Sequence, residues 1–116
     1  MTRFRSHGPL CVVLLDYVRP LDEVDQQMPA HVEWLEVGFR EGAFLLAGRR
    51  TPRTGGVIVV RGTAEDVRAI AATDPFVTSG VAQAEVIAFN ASFAQPRSEE
   101  HTSELQSRFG ISYAVF

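Results

Sequence analysis

Two stretches of this chain, LCVVLLDYV at residues 10–18 and VIVV at 57–60, are apolar at nearly every position and rich in β-branched side chains. Successive side chains of a strand point to opposite faces. Each stretch therefore reads as a strand that needs cover on both faces. Arg19-Pro20 ends the first. A helix follows over about 21–41, because Val24, Met28, Val32, Leu35 and Phe39 recur at spacings of three and four. Pro29 falls inside it. A mid-helix proline loses a backbone hydrogen bond and costs ~3 kcal/mol, so a kink, or a second helix opening at Pro29, is expected. Gly42 stops the helix.

A second strand is expected at 43–47 (AFLLA), then a turn-rich loop at 50–56 (RTPRTGG) before the 57–60 strand. Thr63-Ala-Glu-Asp66 announces a second helix, with Thr63 capping its start and Asp66 reaching back. Val67, Ile70 and Ala71 form its apolar stripe. Asp74-Pro75-Phe76 opens a short further turn. Ile87, Phe89, Ala91 and Phe93 then alternate with small or polar residues over about 84–93, a fourth strand.

The order is βαββαβ, which packs as a four-stranded antiparallel sheet with both helices on one face, the α+β ferredoxin-like arrangement. Two helices cover only one face of such a sheet. The other would stay apolar and exposed, which monomers avoid. A second copy of the same sheet is the simplest cover, so the pattern points to a homodimer of the dimeric α+β barrel type.

Composition narrows the function. Hydrophobic residues make up 46% of the 116 and charged residues 22%, so a packed core is within reach. No apolar run approaches the roughly 20 residues of a membrane-spanning helix. The single cysteine, Cys11, forms no disulfide framework or cysteine-based zinc site, and reads as buried and inert. Residues 1–9 are polar and read as an N-terminal extension, not a secretory signal. These features suggest the cytoplasm. A net charge of −3 argues against nucleic acid as the partner.

The end of the chain changes style. Residues 1–96 carry nine of the eleven basic residues, all arginine, whereas four of the seven serines fall in the last twenty positions. Residues 97–107, RSEEHTSELQS, resemble the in-frame translation of a common DNA-sequencing adapter. We set 97–116 aside as an artefactual tail, and His101 takes no functional role. The alternative is a polar linker followed by a strand at 111–116. The remaining domain spans 10–93, and a unit of that size folds with little margin.

Few residues in the domain can carry chemistry. His31, in the first helix, suits proton transfer, although a helix-face histidine packed near Trp34 and Leu35 would look the same. Asp74 could orient an imidazole, or simply cap the helix that Pro75 begins; one carboxylate can do both. Arg49, Arg50 and Arg53 could clamp a carboxylate or phenolate, or sit in a solvated turn. Asp16 and Tyr17 could face a sheet–helix cavity, or Asp16 could pair with a neighbouring arginine. Gly55-Gly56 reads as a turn, since no phosphate-binding glycine motif surrounds it. No metal-ligand spacing and no nucleophile elbow occur. All eleven basic residues are arginine, so lysine Schiff-base chemistry is excluded.

LLDYVRP on the first strand, PAHVEWL in the helix, EGAFLLAGRR across the second strand and DPFVTSGVA before the last stand in an order that resembles the YCII-related (YciI-like) family of small bacterial proteins, over about 10–93. Where that family often has Gly-Pro after the second strand, this chain has Gly48-Arg49. The resemblance implies a ferredoxin-like dimer and an active site built on a His and an Asp, here His31 and Asp74. Some relatives look like dehydrochlorinases or small-molecule lyases acting on aromatic ring compounds.

Two functions follow as expectations. The first is an enzyme that needs no cofactor: His31 and Asp74 perform acid/base chemistry of the lyase, dehydrochlorinase or isomerase type on a small anionic or aromatic substrate. Arg49, Arg50 and Asp16 would hold that substrate. The second is a non-catalytic metabolite-binding or accessory dimer that uses the same cleft.

Overall fold

A computed structural model describes residues 3–4 and 9–94. Its elements are β1 (Arg3–Phe4), β2 (Pro9–Tyr17), α1 (Leu21–Arg40), β3 (Phe44–Arg49), β4 (Gly55–Arg61), α2 (Ala64–Ala71), α3 (Pro75–Thr78), β5 (Ala82–Asn90) and β6 (Phe93–Ala94). The main sheet has the order β3-β4-β2-β5, and every neighbouring pair is antiparallel. With α1 and α2 as the crossovers, this is the ferredoxin-like βαββαβ arrangement. The two runs apolar on both faces, β2 and β4, occupy its centre. The 97–116 segment lies outside the described residues.

The sheet buries one face beneath the helices. Cys11, Val13 and Leu15 of β2 and Ile58 and Val60 of β4 are at most 2% exposed. They meet Val24 and Leu35 of α1, Val67 and Ala71 of α2, and Phe76 of α3 in one core. Each large apolar side chain taken out of water there contributes about 1.5–3 kcal/mol. Val12 and Leu14, on the opposite face of β2, pair in register with Val59 and Val57. Those four are only half-buried. Leu46, Ile87 and Phe89 on the same face are 50%, 44% and 41% exposed.

Four local expectations need correction. The first helix is one element through Pro29, which sits exposed on its outer side; no second helix opens there. Its buried positions are Val24, His31, Leu35 and Gly38, so the inward stripe is turned toward His31 and leaves Val32 half-buried. The loop between β3 and β4 is shorter than 50–56, because β4 begins at Gly55 and β3 runs to Arg49. The last strand stops at Asn90, and Phe93–Ala94 form a separate two-residue ladder with Arg3–Phe4.

The helix starts follow side-chain chemistry. Thr63 Oγ1 accepts a hydrogen bond from the Asp66 amide at 3.1 Å and so caps α2. Asp74 caps α3, with Pro75 in the first helical position, where its missing N–H costs nothing. α1 packs against α3 and β3, and α2 packs against β2 and β5.

Candidate active site

The α1–α3 contact brings His31 and Asp74 together. His31 is 8% exposed and Asp74 is fully buried. His31 Nδ1 lies 2.7 Å from Asp74 Oδ1. The same Oδ1 accepts the Phe76 amide at 2.9 Å, the bond that caps α3. Sequence reasoning allowed a single Asp74 carboxylate both to cap the helix and to orient an imidazole. In the structure one oxygen serves both, and Oδ2 is buried without a hydrogen-bond partner among the described residues. A carboxylate acceptor at Nδ1 favours a proton on that nitrogen, which leaves Nε2 as the free nitrogen of the ring.

Aromatic rings fix the plane of the imidazole. Phe76 stacks on one face with centroids 3.8 Å apart and planes 7° from parallel. Trp34 is stacked at 5.8 Å and 28°. The Trp34 indole N–H donates to Thr73 Oγ1 at 2.9 Å, and that hydroxyl donates to the Ile70 carbonyl at 2.6 Å. This chain ties α1 to the turn that carries Asp74. With Nδ1 held and Phe76 flat against it, the ring presents an edge outward.

A narrow cleft opens beside it, with about 30 Å³ of room for water-sized solvent. Its walls come from α1 (Met28, His31, Leu35), from the ends of β2, β3 and β4, and from Phe76. Most of the lining is apolar; His31, Tyr17 and Arg49 supply the polar groups.

The three arginines separate. Arg49 lines the cleft. Arg50 is paired with Asp16, and the Asp16 side chain is 55% exposed. Neither of those two lines the cleft. Of the alternatives for Asp16, the structure has the ion pair with a neighbouring arginine. Arg53 bonds Asp25 of α1, which keeps its guanidinium pKa above the ordinary value, and it lies 5.9 Å above the Tyr17 ring. Among the described residues, no group of three His, Cys, Asp or Glu could hold a metal, and no helix is long and apolar enough to cross a membrane.

Sequence reasoning missed Phe76 as the stacking partner and the glycines of the cleft wall. The first had a signal: Phe76 follows the Asp-Pro cap directly, so an aspartate turned to α1 brings its neighbour along. The glycines had none, because Gly55-Gly56 looks like a turn until the strand register is known.

Comparison with known proteins agrees with the fold. A solved 5-chloro-2-hydroxyhydroquinone dehydrochlorinase from Burkholderia phenoliruptrix AC1100, in complex with 2,5-dihydroxybenzoquinone, has a similar fold. The TM-score is 0.58 at 19% identity, over 67% of this chain and 90% of that one. No curated protein matches the sequence. The model of the YCII-related domain matches residues 10–90, nearly the whole described region, and the chain belongs to that family.

Proposed function

We propose that this protein is a small-molecule enzyme in which His31 moves a proton at Nε2 while Asp74 holds the ring. The observation that carries the reading is the buried 2.7 Å contact between His31 Nδ1 and Asp74 Oδ1, at the wall of a mostly apolar cleft. A carboxylate in that position fixes the tautomer and stabilises the imidazolium that forms when Nε2 takes a proton. Positioned acid/base groups of this kind contribute about 10²–10⁴-fold each.

The substrate class follows from the lining. Apolar walls favour a flat carbon skeleton, and Arg49 supplies a positive charge for a carboxylate or phenolate at the mouth. The proposed substrate is therefore a small aromatic or anionic compound, and the reaction an elimination or isomerisation that needs no cofactor. The structural neighbour, a dehydrochlorinase solved with a quinone, supports this choice of class. Arg50 and Asp16 neutralise each other and would influence the substrate only by holding the β3–β4 loop.

The half-exposed apolar face of the sheet supports a homodimer in which two copies cover each other there. A non-catalytic metabolite-binding or accessory dimer remains the second reading, since the same cleft could hold a ligand without turnover. Turnover of chlorinated and hydroxylated aromatic acids by wild type and His31→Ala decides between them. The enzyme reading requires a loss of at least about tenfold with the fold intact. Normal turnover by the variant on the same substrate would sink it.

A further inference from the structure

Gly56 lies inside β4, where its partners in register are Leu15 of β2 and Arg49 of β3. A glycine within a strand marks a bulge, a bend, or the close approach of another backbone or a ligand. No bulge occurs at this position; the register shift of the sheet falls between Phe44 and Leu46. The backbone torsions at Gly56 are ordinary, since the described positive-φ glycines are Gly42, Gly62 and Gly80. Its neighbour Gly55 is a different case. A Cβ on Gly55 would lie 1.7 Å from the Leu15 carbonyl oxygen, so packing alone demands glycine there.

At Gly56 an added Cβ would meet only the Gly48 carbonyl oxygen, at 3.2 Å, and Leu15 Cδ1, at 3.8 Å. The first contact needs the neighbour to give by a few tenths of an ångström; the second is ordinary packing. Register partners share a face of the sheet. Leu15 is buried on the helix side, so a side chain at 56 would project to that side as well. That side is the cleft: Gly56, Leu15, His31 and Arg49 all line it.

We infer that Gly56 is the size-determining residue of the cleft: its missing side chain keeps open the space beside His31 in which a ligand ring lies. The inference rests on the proposed function and deepens it. It restricts the substrate to compounds with one flat ring that can rest against bare β4 backbone between Arg49 and the imidazole edge.

The test needs no identified substrate. Diethyl pyrocarbonate is a small electrophile that acylates a free imidazole nitrogen, and in this site only Nε2 of His31 is open to it. The full chain, Gly56→Val and Gly56→Ala are each treated with the reagent. The modification rate at His31 is read by peptide mass spectrometry against free N-acetylhistidine. Thermal melting and circular dichroism establish that each variant is folded. Valine should slow His31 at least about tenfold, because the reagent then depends on local opening of the cleft, and alanine should slow it about threefold. If valine disrupts the strand, the alanine variant decides. A reactive wild type with unchanged rates in the folded variants overturns the role of Gly56 and leaves the His31 reading standing. An unreactive His31 in the wild type overturns both.

Discussion

Asp74 performs two jobs through one oxygen, and substitution can separate them. Asp74→Ala removes the cap on α3 and the partner of His31 together. Loss of an N-cap costs about 0.5–2 kcal/mol. A buried imidazole N–H left without an acceptor costs about 1–3 kcal/mol more. The sum is about 1.5–5 kcal/mol, a large fraction of the roughly 5–15 kcal/mol that holds such a domain together. At about 4–8 °C per kcal/mol for a chain of this size, the melting temperature should fall by at least about 6 °C. Asp74→Asn keeps an oxygen for the Phe76 amide and loses the charge facing the imidazole. It should cost only about 1 kcal/mol, the difference between a charge-assisted and a neutral hydrogen bond. The assay is thermal unfolding at pH 7 followed by circular dichroism, with calorimetry of the same samples. Alanine and asparagine variants that melt together, within a degree of wild type, would refute the reasoning, because neither the cap nor the imidazole contact would then contribute.

Three further outcomes follow from the packing. Gly38 faces the Phe44 ring, which an added Cβ would approach to 2.3 Å, so Gly38→Ala should destabilise by about 1–3 kcal/mol. Combination with Phe44→Leu should recover part of that loss in a double-mutant cycle of melting curves. Cys11 is fully buried, and desolvation holds its thiol above the ordinary pKa despite the nearby Arg68 charge. Native protein should therefore react with a thiol reagent at least about a hundredfold more slowly than urea-unfolded protein, since reaction requires an opening worth ~3 kcal/mol or more. Ile87 is 44% exposed on the uncovered apolar face of the sheet. If two copies pack there, Ile87→Glu should convert a dimer to monomer in light scattering while leaving the melting of the monomer within about 0.5 kcal/mol, as for other surface substitutions.

The architecture was legible in the chain because the strongest signals were the ones that govern it. Consecutive apolar residues at 10–15 and 57–60 could only be central strands, and the period of three and four after Pro20 could only be a helix over them. The errors were local. Pro29 lies on the exposed side of α1, where the hydrogen bond it removes leaves no buried group stranded, so the helix runs through it. The inward stripe of that helix is set by contact with α3, which no local period encodes, and this is why His31 and Gly38 replaced Val32 inside. His31 and Asp74 stand 43 residues apart. Composition and spacing left both open to bland readings, and a family resemblance singled them out. Which arginine reaches the cleft depended on the strand register: Arg49 is the last residue of β3, whereas Arg50 and Arg53 lie past it and meet aspartates. The charges were visible in the sequence, but their pairing was not.

The central claim is that Asp74 fixes the proton of His31 on Nδ1 and leaves Nε2 free at the cleft. It can be read directly from two-bond ¹H–¹⁵N correlation spectra of histidine-labelled protein at pH 9, with His31→Gln to assign the ring. The account predicts a pyrrole-type Nδ1 and a pyridine-type Nε2 for His31, with that pattern weakened or mixed in Asp74→Asn. A proton on Nε2 in the wild-type protein would contradict it, because the nitrogen assigned to catalysis would then be occupied and the carboxylate would not be orienting the ring.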